Sequence, residues 1–523
     1  MRVPASPTQA QVAQAALSGD NPAQAAHLRC FNRACNAVFS IADVLYNCPT
    51  CGGLIEVAYT DWPSQSESLK RTFRERRMSN EPLNSSGVWR FRELFPFLDN
   101  YSHVTTLREG NTPILDFPGS SGVAEYAGLD SIAFKHQGFN PTGSFKDNGM
   151  TCGVAQARAL RMRRVACVST GNTSASMAAY AAAAGLEALI FLPHGNISFG
   201  KLAQALEYGA RTFQVEANFD QILALVRVLA ARLGIYLLNS MNPFRIEGQK
   251  TIVFEMLDQR DWNPPDWIVL PGGNLGNTSA FGKALREARE IGLISKMPRL
   301  AVIQAEGAAP FYDLFTSELW AGSSDQPDPR ATPELWAGSS DQRDPRATPS
   351  SRSNVWGGSP DPRATPSSRS SEVKFHPVKN PETLATAIRI GDPVSWPKAL
   401  YEVRSSNGVV EKVSEQEIAD AKAQIGRCGI GCEPASAATL AGIRKLTASG
   451  VIHPAADVVA VLTGNLLKDP DYIYRYHTGK LSNPTRQGGD SDGAAGGAPI
   501  ESRYGNQPLV VPNDPDRIAD LLR

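Results

Sequence analysis

The chain has 523 residues, enough for more than one domain at roughly 150 residues per domain, and 42% of them are hydrophobic, as in an ordinary globular protein. Its 52 Lys and Arg are balanced by 52 Asp and Glu, so no basic excess points to nucleic acid or an anionic membrane, and a small-molecule partner is expected. There is no apolar run long enough for a transmembrane helix, and the opening MRVPASPTQA lacks the apolar stretch of a signal peptide, so the expected location is the cytoplasm.

Residues 1–26 are rich in Ala, Gln and Pro and read as a flexible start. Four of the eight cysteines follow as Cys30-x4-Cys35-x12-Cys48-x2-Cys51, with Gly52 and Gly53 after the last. Two cysteine pairs on two turns within 27–60 resemble a zinc ribbon, in which four thiolates close a structural metal site. The looser x4 spacing also fits a ribbon that folds without metal. Cys152, Cys167, Cys428 and Cys432 are expected to pack as small apolar residues.

From about 131 to 305 apolar strands alternate with amphipathic helices. Strand-like stretches lie at 164–170, 187–193, 211–216, 234–240, 266–273 and 299–307, and helix-like stretches at 173–185, 199–210, 219–234, 245–259 and 279–292. Such alternation predicts an α/β fold with mostly parallel strands and helices on both faces, and ligands beyond the carboxyl ends of the strands. The pattern breaks at 313–372, where ELWAGSSDQPDPRATP is followed by the near-copy ELWAGSSDQRDPRATP. The repeat has no apolar face that could stack. It reads as a disordered surface-loop insertion or, through Trp320, Trp336 and Trp356, as a segment that binds a partner. Residues 481–523, with QGGDSDGAAGGAP, read as a flexible linker and tail.

Five segments carry chemistry. In NPTGSFKD, Lys146 stands where a turn-prone loop meets a helix start. The helix dipole and partial burial there lower an amine's pKa and make it a nucleophile suited to a Schiff base. In STGNTSAS (169–176) and PGGNLGNTSA (271–280), a strand runs through a tight turn into a helix, leaving backbone N–H groups free for an anion. The glycine spacing of the second matches neither a P-loop nor a dinucleotide fingerprint, so a phosphate monoester is the simpler ligand. NSMNPFRIEGQKT (239–251) sets Arg245 beside Asn239 and Ser240 as a second anion site, and VLTG ends at Thr463-Gly464.

These segments, with EGNTP (109–113), TAIRIGDPVSW (386–396) and GCEPASAATLAG (431–442), resemble in sequence and order the threonine synthases, a family of tryptophan-synthase-β-like (fold type II) pyridoxal 5'-phosphate (PLP) enzymes. The resemblance implies one catalytic body, formed by 61–312 and 373–480 together and made of two doubly wound α/β subdomains. It implies Lys146 as the Schiff-base lysine and proton-moving base. It gives Asn172 to the cofactor's 3'-oxygen, Gly273, Asn274, Leu275, Gly276 and Asn277 to its phosphate, and Thr463 to its pyridine nitrogen. Ser169, Thr170, Thr173, Asn239, Ser240 and Arg245 would bind the substrate O-phospho-L-homoserine, and a homo-oligomer, a dimer, is expected. Asn148 and Asn465 depart from common family residues and are expected at the pocket rim. A serine/threonine dehydratase or a phosphoserine-using sulfonate synthase is the alternative of the same fold; NSxNPxRIEGQKT and TAIRIGDP favour the threonine synthases. A regulatory homologue without activity is the alternative outside enzymes.

Overall fold

The computed structural model describes residues 26–60, 62, 66–169, 171–194, 199–217, 219–321, 375–484 and 497–511, with 513, 515, 517 and 521. Thr170, the start of the chain up to residue 25, expected from the sequence to be flexible, the tandem repeat from 322 onward with Trp336 and Trp356, the side chain of Trp320, and the glycine-rich run 485–496 lie outside the described residues.

The cysteine module is a three-stranded antiparallel sheet in the order β2-β1-β3, built from β1 (Ala26–Cys30), β2 (Val38–Phe39) and β3 (Ile55–Tyr59). The body holds two further sheets. Four parallel strands, β6 (Arg164–Val168), β7 (Glu187–Pro193), β8 (Arg211–Val215) and β9 (Ile235–Leu237), run in the order β8-β7-β6-β9. Six strands make the larger sheet, in the order β12-β11-β10-β13-β5-β4. They are β4 (Ile114–Pro118), β5 (Ser131–His136), β10 (Trp267–Pro271), β11 (Arg299–Ala305), β12 (Val409–Val413) and β13 (Val458–Leu462). All its pairs are parallel except β4 with β5. The stretch predicted as one run of alternation therefore splits at β9, and the smaller sheet is an excursion between β5 and β10.

Side chains alternate across a strand, so a sheet covered on both faces needs apolar residues at every position. The large sheet meets this demand. Ile268, Leu270, Leu300, Val302, Val459 and Val461 enter one core, while Val269, Ala301, Ile303, Val458, Ala460 and Leu462 enter another. The small sheet does the same, with Val165, Cys167 and Ile190 on one face and Ala166, Val168 and Leu189 on the other. The central strands of both sheets are thus covered on two sides, as the doubly wound reading requires, while β8 at the edge of the small sheet is largely exposed.

Each sheet has a point where the chain reverses its direction of winding, and there the loops after neighbouring strands part to leave a crevice. In the large sheet this point lies between β10 and β13, so the loops starting at Gly272 and Thr463 face one crevice. In the small sheet it lies between β6 and β9, the strands that deliver Ser169 and Asn239. No described helix is long and apolar enough to cross a membrane.

Candidate active site

Lys146 is the first residue of the helix Lys146–Ala159. The loop before it is held from two sides. Asp147 accepts from Thr142 through the backbone N–H and the hydroxyl, both at 2.7 Å. The backbone N–H of Phe145 donates to Thr463 O at 3.0 Å, and Asn465 N–H donates to Gly143 O at 2.9 Å. The amine is partly buried and lies 4.2 Å from the centre of the Phe145 ring. Burial, reinforced by the Arg245 guanidinium and opposed by Glu433, pulls its pKa down to about 7. A neutral amine near physiological pH is what a nucleophile at this place needs.

Arg245 reaches the same space because two helices touch backbone to backbone. A Cβ on Gly248 would lie 1.9 Å from Asn148 O, and one on Gly149 would lie 2.8 Å from Arg245 O. Glycine at these positions lets the helix Pro243–Gln259 press against the Lys146 helix. Arg245 is almost wholly buried. Its Nη1 donates to Leu238 O at 3.0 Å, whereas Nε and Nη2 have no partner. Two buried, unsatisfied donors on a cation mark a place for an anion. Asn239 closes the neighbouring turn: it gives one amide hydrogen to Val168 O at 3.1 Å and accepts Val168 N–H at 3.2 Å, which leaves its second amide hydrogen for a ligand. Ser240 is partly buried beside it. Ser169 accepts Gly171 N–H at 3.2 Å, and Thr173 is partly buried in the first turn of the helix Asn172–Ala184.

The glycine loop fits a phosphate. Leu275 takes the left-handed conformation at φ 61° as N-cap of the helix Gly276–Glu290, which turns the first backbone N–H groups of that helix outward. A Cβ on Gly272 would meet Val302 at 2.8 Å, and one on Gly273 would meet Ala387 O at 3.2 Å. The loop therefore sits flush against β11 and the TAIRIGDP segment. Asn277 Oδ1 and Thr278 Oγ1 are buried here without partners. The free Thr278 hydroxyl and the backbone N–H groups at the start of this helix are donors that suit a cofactor phosphate.

Sequence reasoning assigned no role to Glu433, although it stands in the quoted GCEPAS. Its carboxylate accepts from Asn172 Nδ2 at 2.9 Å and from the Thr463 hydroxyl at 3.1 Å. It thereby joins the two residues assigned to opposite edges of the cofactor ring. Ser436 lies 2.9 Å from the Thr463 hydroxyl and accepts the backbone N–H of Thr463 and Gly464. Thr463 is thus fixed in orientation by Ser436 and Glu433. Asn148 is fully buried between the two helices, 3.3 Å from Thr251 Oγ1, and is not at the rim; the close helix packing leaves no room for a longer side chain to reach out. Asn465 donates to Gly138 O at 3.2 Å and braces the lysine loop.

The family described as pyridoxal-phosphate dependent enzyme matches residues 105–346 and 347–464. The threonine synthase of Methanosarcina acetivorans is 40% identical over 448 residues, covering 86% of this chain and 93% of that protein. That of Methanocaldococcus jannaschii is 39% identical, covering 84% and 93%. The chain belongs to the threonine synthases. The crystal structure of threonine synthase from Escherichia coli shares the fold, with a TM-score of 0.57 at 16% identity over 88% of this chain and 93% of that one.

Within the threonine synthases the lysine loop carries a pH signature for this member. Capture of pyridoxal phosphate by cofactor-free protein, followed by its visible absorbance, should rise with pH through about 7, because the Lys146 amine must first lose its proton. Glu433 favours the charged amine, so Glu433→Gln should move that midpoint to lower pH. A midpoint at the ordinary lysine value, or one unmoved by the substitution, would contradict the assignment.

Proposed function

We propose that the chain converts O-phospho-L-homoserine and water into L-threonine and phosphate as a carbon–oxygen lyase, with Lys146 as its catalytic residue. The observation that carries this reading is the pair of separate anion sites flanking one depressed-pKa amine. One is the glycine loop 272–277, and the other is the half-satisfied Arg245 with Asn239 and Ser240. A cofactor and a substrate that each bear a phosphate require two such sites.

Pyridoxal phosphate, held through its phosphate by Gly273, Asn274, Leu275, Gly276 and Asn277, supplies an electron sink for charge that develops at the substrate's α-carbon. Thr463 would offer the pyridine nitrogen a neutral hydroxyl, which does not force it to stay protonated, and Asn172 would meet the 3'-oxygen. Lys146, neutral near pH 7, takes the proton from Cα and moves protons at Cβ. Arg245, with Asn239, Ser240, Ser169 and Thr173, holds the substrate phosphate, so that cleavage of the Cγ–O bond delivers negative charge to donors already in place. Protons return to Cγ, which becomes the methyl group, water adds its oxygen at Cβ, and Cα is reprotonated, so the protons removed are restored in threonine. The turn 169–171, including Thr170, receives the α-carboxylate. The reading extends to a cytoplasmic homodimer and to a structural zinc on Cys30, Cys35, Cys48 and Cys51.

Incubation of the holoenzyme with O-phospho-L-homoserine should release threonine and inorganic phosphate in equal amounts. Deamination of threonine or serine without that release would overturn the proposal in favour of a dehydratase.

A further inference from the structure

The cysteine module bonds to the helices and the strand that build the site, and its four cysteine sulfurs gather at one point. The sulfur atoms of Cys30, Cys35, Cys48 and Cys51 all lie within 4.8 Å of one another. Cys30 and Cys51 are 3.5 Å apart, and Cys35 and Cys48 are 3.8 Å apart. A tetrahedral zinc with Zn–S bonds of about 2.3 Å separates its sulfurs by about 3.8 Å, whereas a disulfide holds them at about 2.05 Å. Two tight turns present the thiols, one closed by Cys35 N–H to Asn32 O at 3.0 Å, the other by Gly52 N–H to Cys48 O at 2.8 Å. The backbone N–H groups of Asn32, Ala37, Thr50 and Cys51 point at the sulfurs, as donors around a thiolate metal centre do.

The segment between Cys35 and Cys48 contributes only the short strand β2 and a few partly buried apolar side chains, and the sulfur cluster joins its two ends. Yet Ile41 O in that loop accepts from Gln156 of the Lys146 helix at 2.9 Å. Tyr46 Oη accepts the backbone N–H of Leu237 at 2.6 Å, on the strand that leads to Asn239. On the far side of the cluster, Tyr59 donates to Glu247 at 2.6 Å, two residues beyond Arg245. Val57 O accepts from Lys283 at 2.8 Å, on the helix that follows the glycine loop, and Lys283 is itself paired with Glu247. Lys398 donates to Ile55 O at 2.7 Å. Glu247 and Lys283 are buried, so breaking any of their hydrogen bonds to the module would leave a charged group underpaired away from water.

We infer that the four thiolates bind one zinc ion and that its loading locks the helices carrying Lys146, Arg245 and the phosphate loop into register. The inference rests on the cofactor and zinc readings above and deepens them: the metal is a positional control on the catalytic body rather than a staple for the module alone. Binding energy gained by ordering the ribbon is folding energy, and the ribbon passes it on through Tyr46, Tyr59, Ile41 and Val57.

The test uses the full-length holoenzyme prepared without chelator. It should contain one zinc per chain, and the cobalt-exchanged protein should show thiolate-to-metal absorbance bands. Stripping the zinc with a mercurial and a chelator should speed amide exchange in the helices 243–259 and 276–290 and weaken pyridoxal phosphate affinity by about tenfold. Re-adding zinc should reverse both changes. Cys51→Ser, at an exposed ligand, should reproduce the loss, and Tyr46→Phe should weaken cofactor affinity with zinc content unchanged. Substoichiometric zinc, or a stripped protein with unchanged exchange in those helices, would overturn the inference. Zinc-loaded protein that never takes up pyridoxal phosphate would instead sink the reading of the active site, because the exchange measurement judges the metal coupling without the cofactor.

Discussion

Lys146→Ala should yield a folded protein without the visible absorbance of bound cofactor, and threonine formation should fall at least about 10^3-fold. Two properties of the site make the loss that deep. In the proposed reading the amine is both the nucleophile that captures the cofactor and the base at Cα, so no neighbour inherits both tasks. Among the charged groups that set its pKa, Arg245 cannot accept a proton and Glu433 is already engaged with Asn172 and Thr463. The same substitution should make the cofactor-free protein more resistant to heat. The sign follows from linkage. Burial lowers the Lys146 pKa to about 7, so between there and the ordinary lysine value the unfolded chain binds a proton that the folded chain does not. In that window the wild-type lysine opposes folding, and its penalty fades as pH climbs toward the ordinary value. The gain in melting temperature of Lys146→Ala should therefore be larger at pH 7 than at pH 10. A cofactor-free variant less stable than wild type at pH 7 would contradict the burial of the amine.

Much of this was legible in the sequence, for a reason particular residues make plain. The strands at 187–193 and 211–215 appear within a residue of their predicted bounds. The first, EALIFLP, is an apolar run closed by proline and buried through its middle, the mark of a strand covered on both faces, whereas the second, RTFQV, lies exposed at the sheet edge and shows itself by alternating polar and apolar residues. β12 was missed because it is a five-residue strand at the sheet edge, where VVEKV alternates weakly. β4, the one antiparallel strand of the large sheet, was missed because ILDFP ends in proline and lies outside the alternation. The split into two sheets is invisible to periodicity, since β5 and β10 look like any other strands until their partners are known. Glycine loops, Lys146 and Arg245 were readable because each sits at a strand or helix terminus, where local sequence sets geometry. Glu433 was not. Its role depends on meeting Asn172, 261 residues away, and no local pattern reports that. The ion pair of Glu255 with Lys135 at 2.7 Å and Arg90 at 3.1 Å, which pins the EGNTP turn through Asn111 N–H, escaped for the same reason.

The second large effect falls on Arg245. Burial draws its pKa down to about 10, a strain that a helix surface would never impose, and the structure leaves Nε and Nη2 without acceptors. An anion that accepts from both would form two charge-assisted hydrogen bonds, each worth roughly 1.5–3 kcal/mol. Arg245→Leu should accordingly lower kcat/KM for O-phospho-L-homoserine by about 10^2- to 10^4-fold. The visible absorbance of the cofactor should persist, because the loop 272–277 belongs to a different helix. Arg245→Lys should recover little, since an ammonium keeps the charge but loses the planar fork aimed at two oxygens. Inorganic phosphate offers a readout independent of turnover. With the glycine loop assigned to the cofactor, phosphate added to the holoenzyme has the Arg245 site to occupy, and it should raise the melting temperature of the wild type and leave Arg245→Leu unmoved. Equal stabilisation of both proteins would place the second anion elsewhere and remove the physical basis for two phosphate sites.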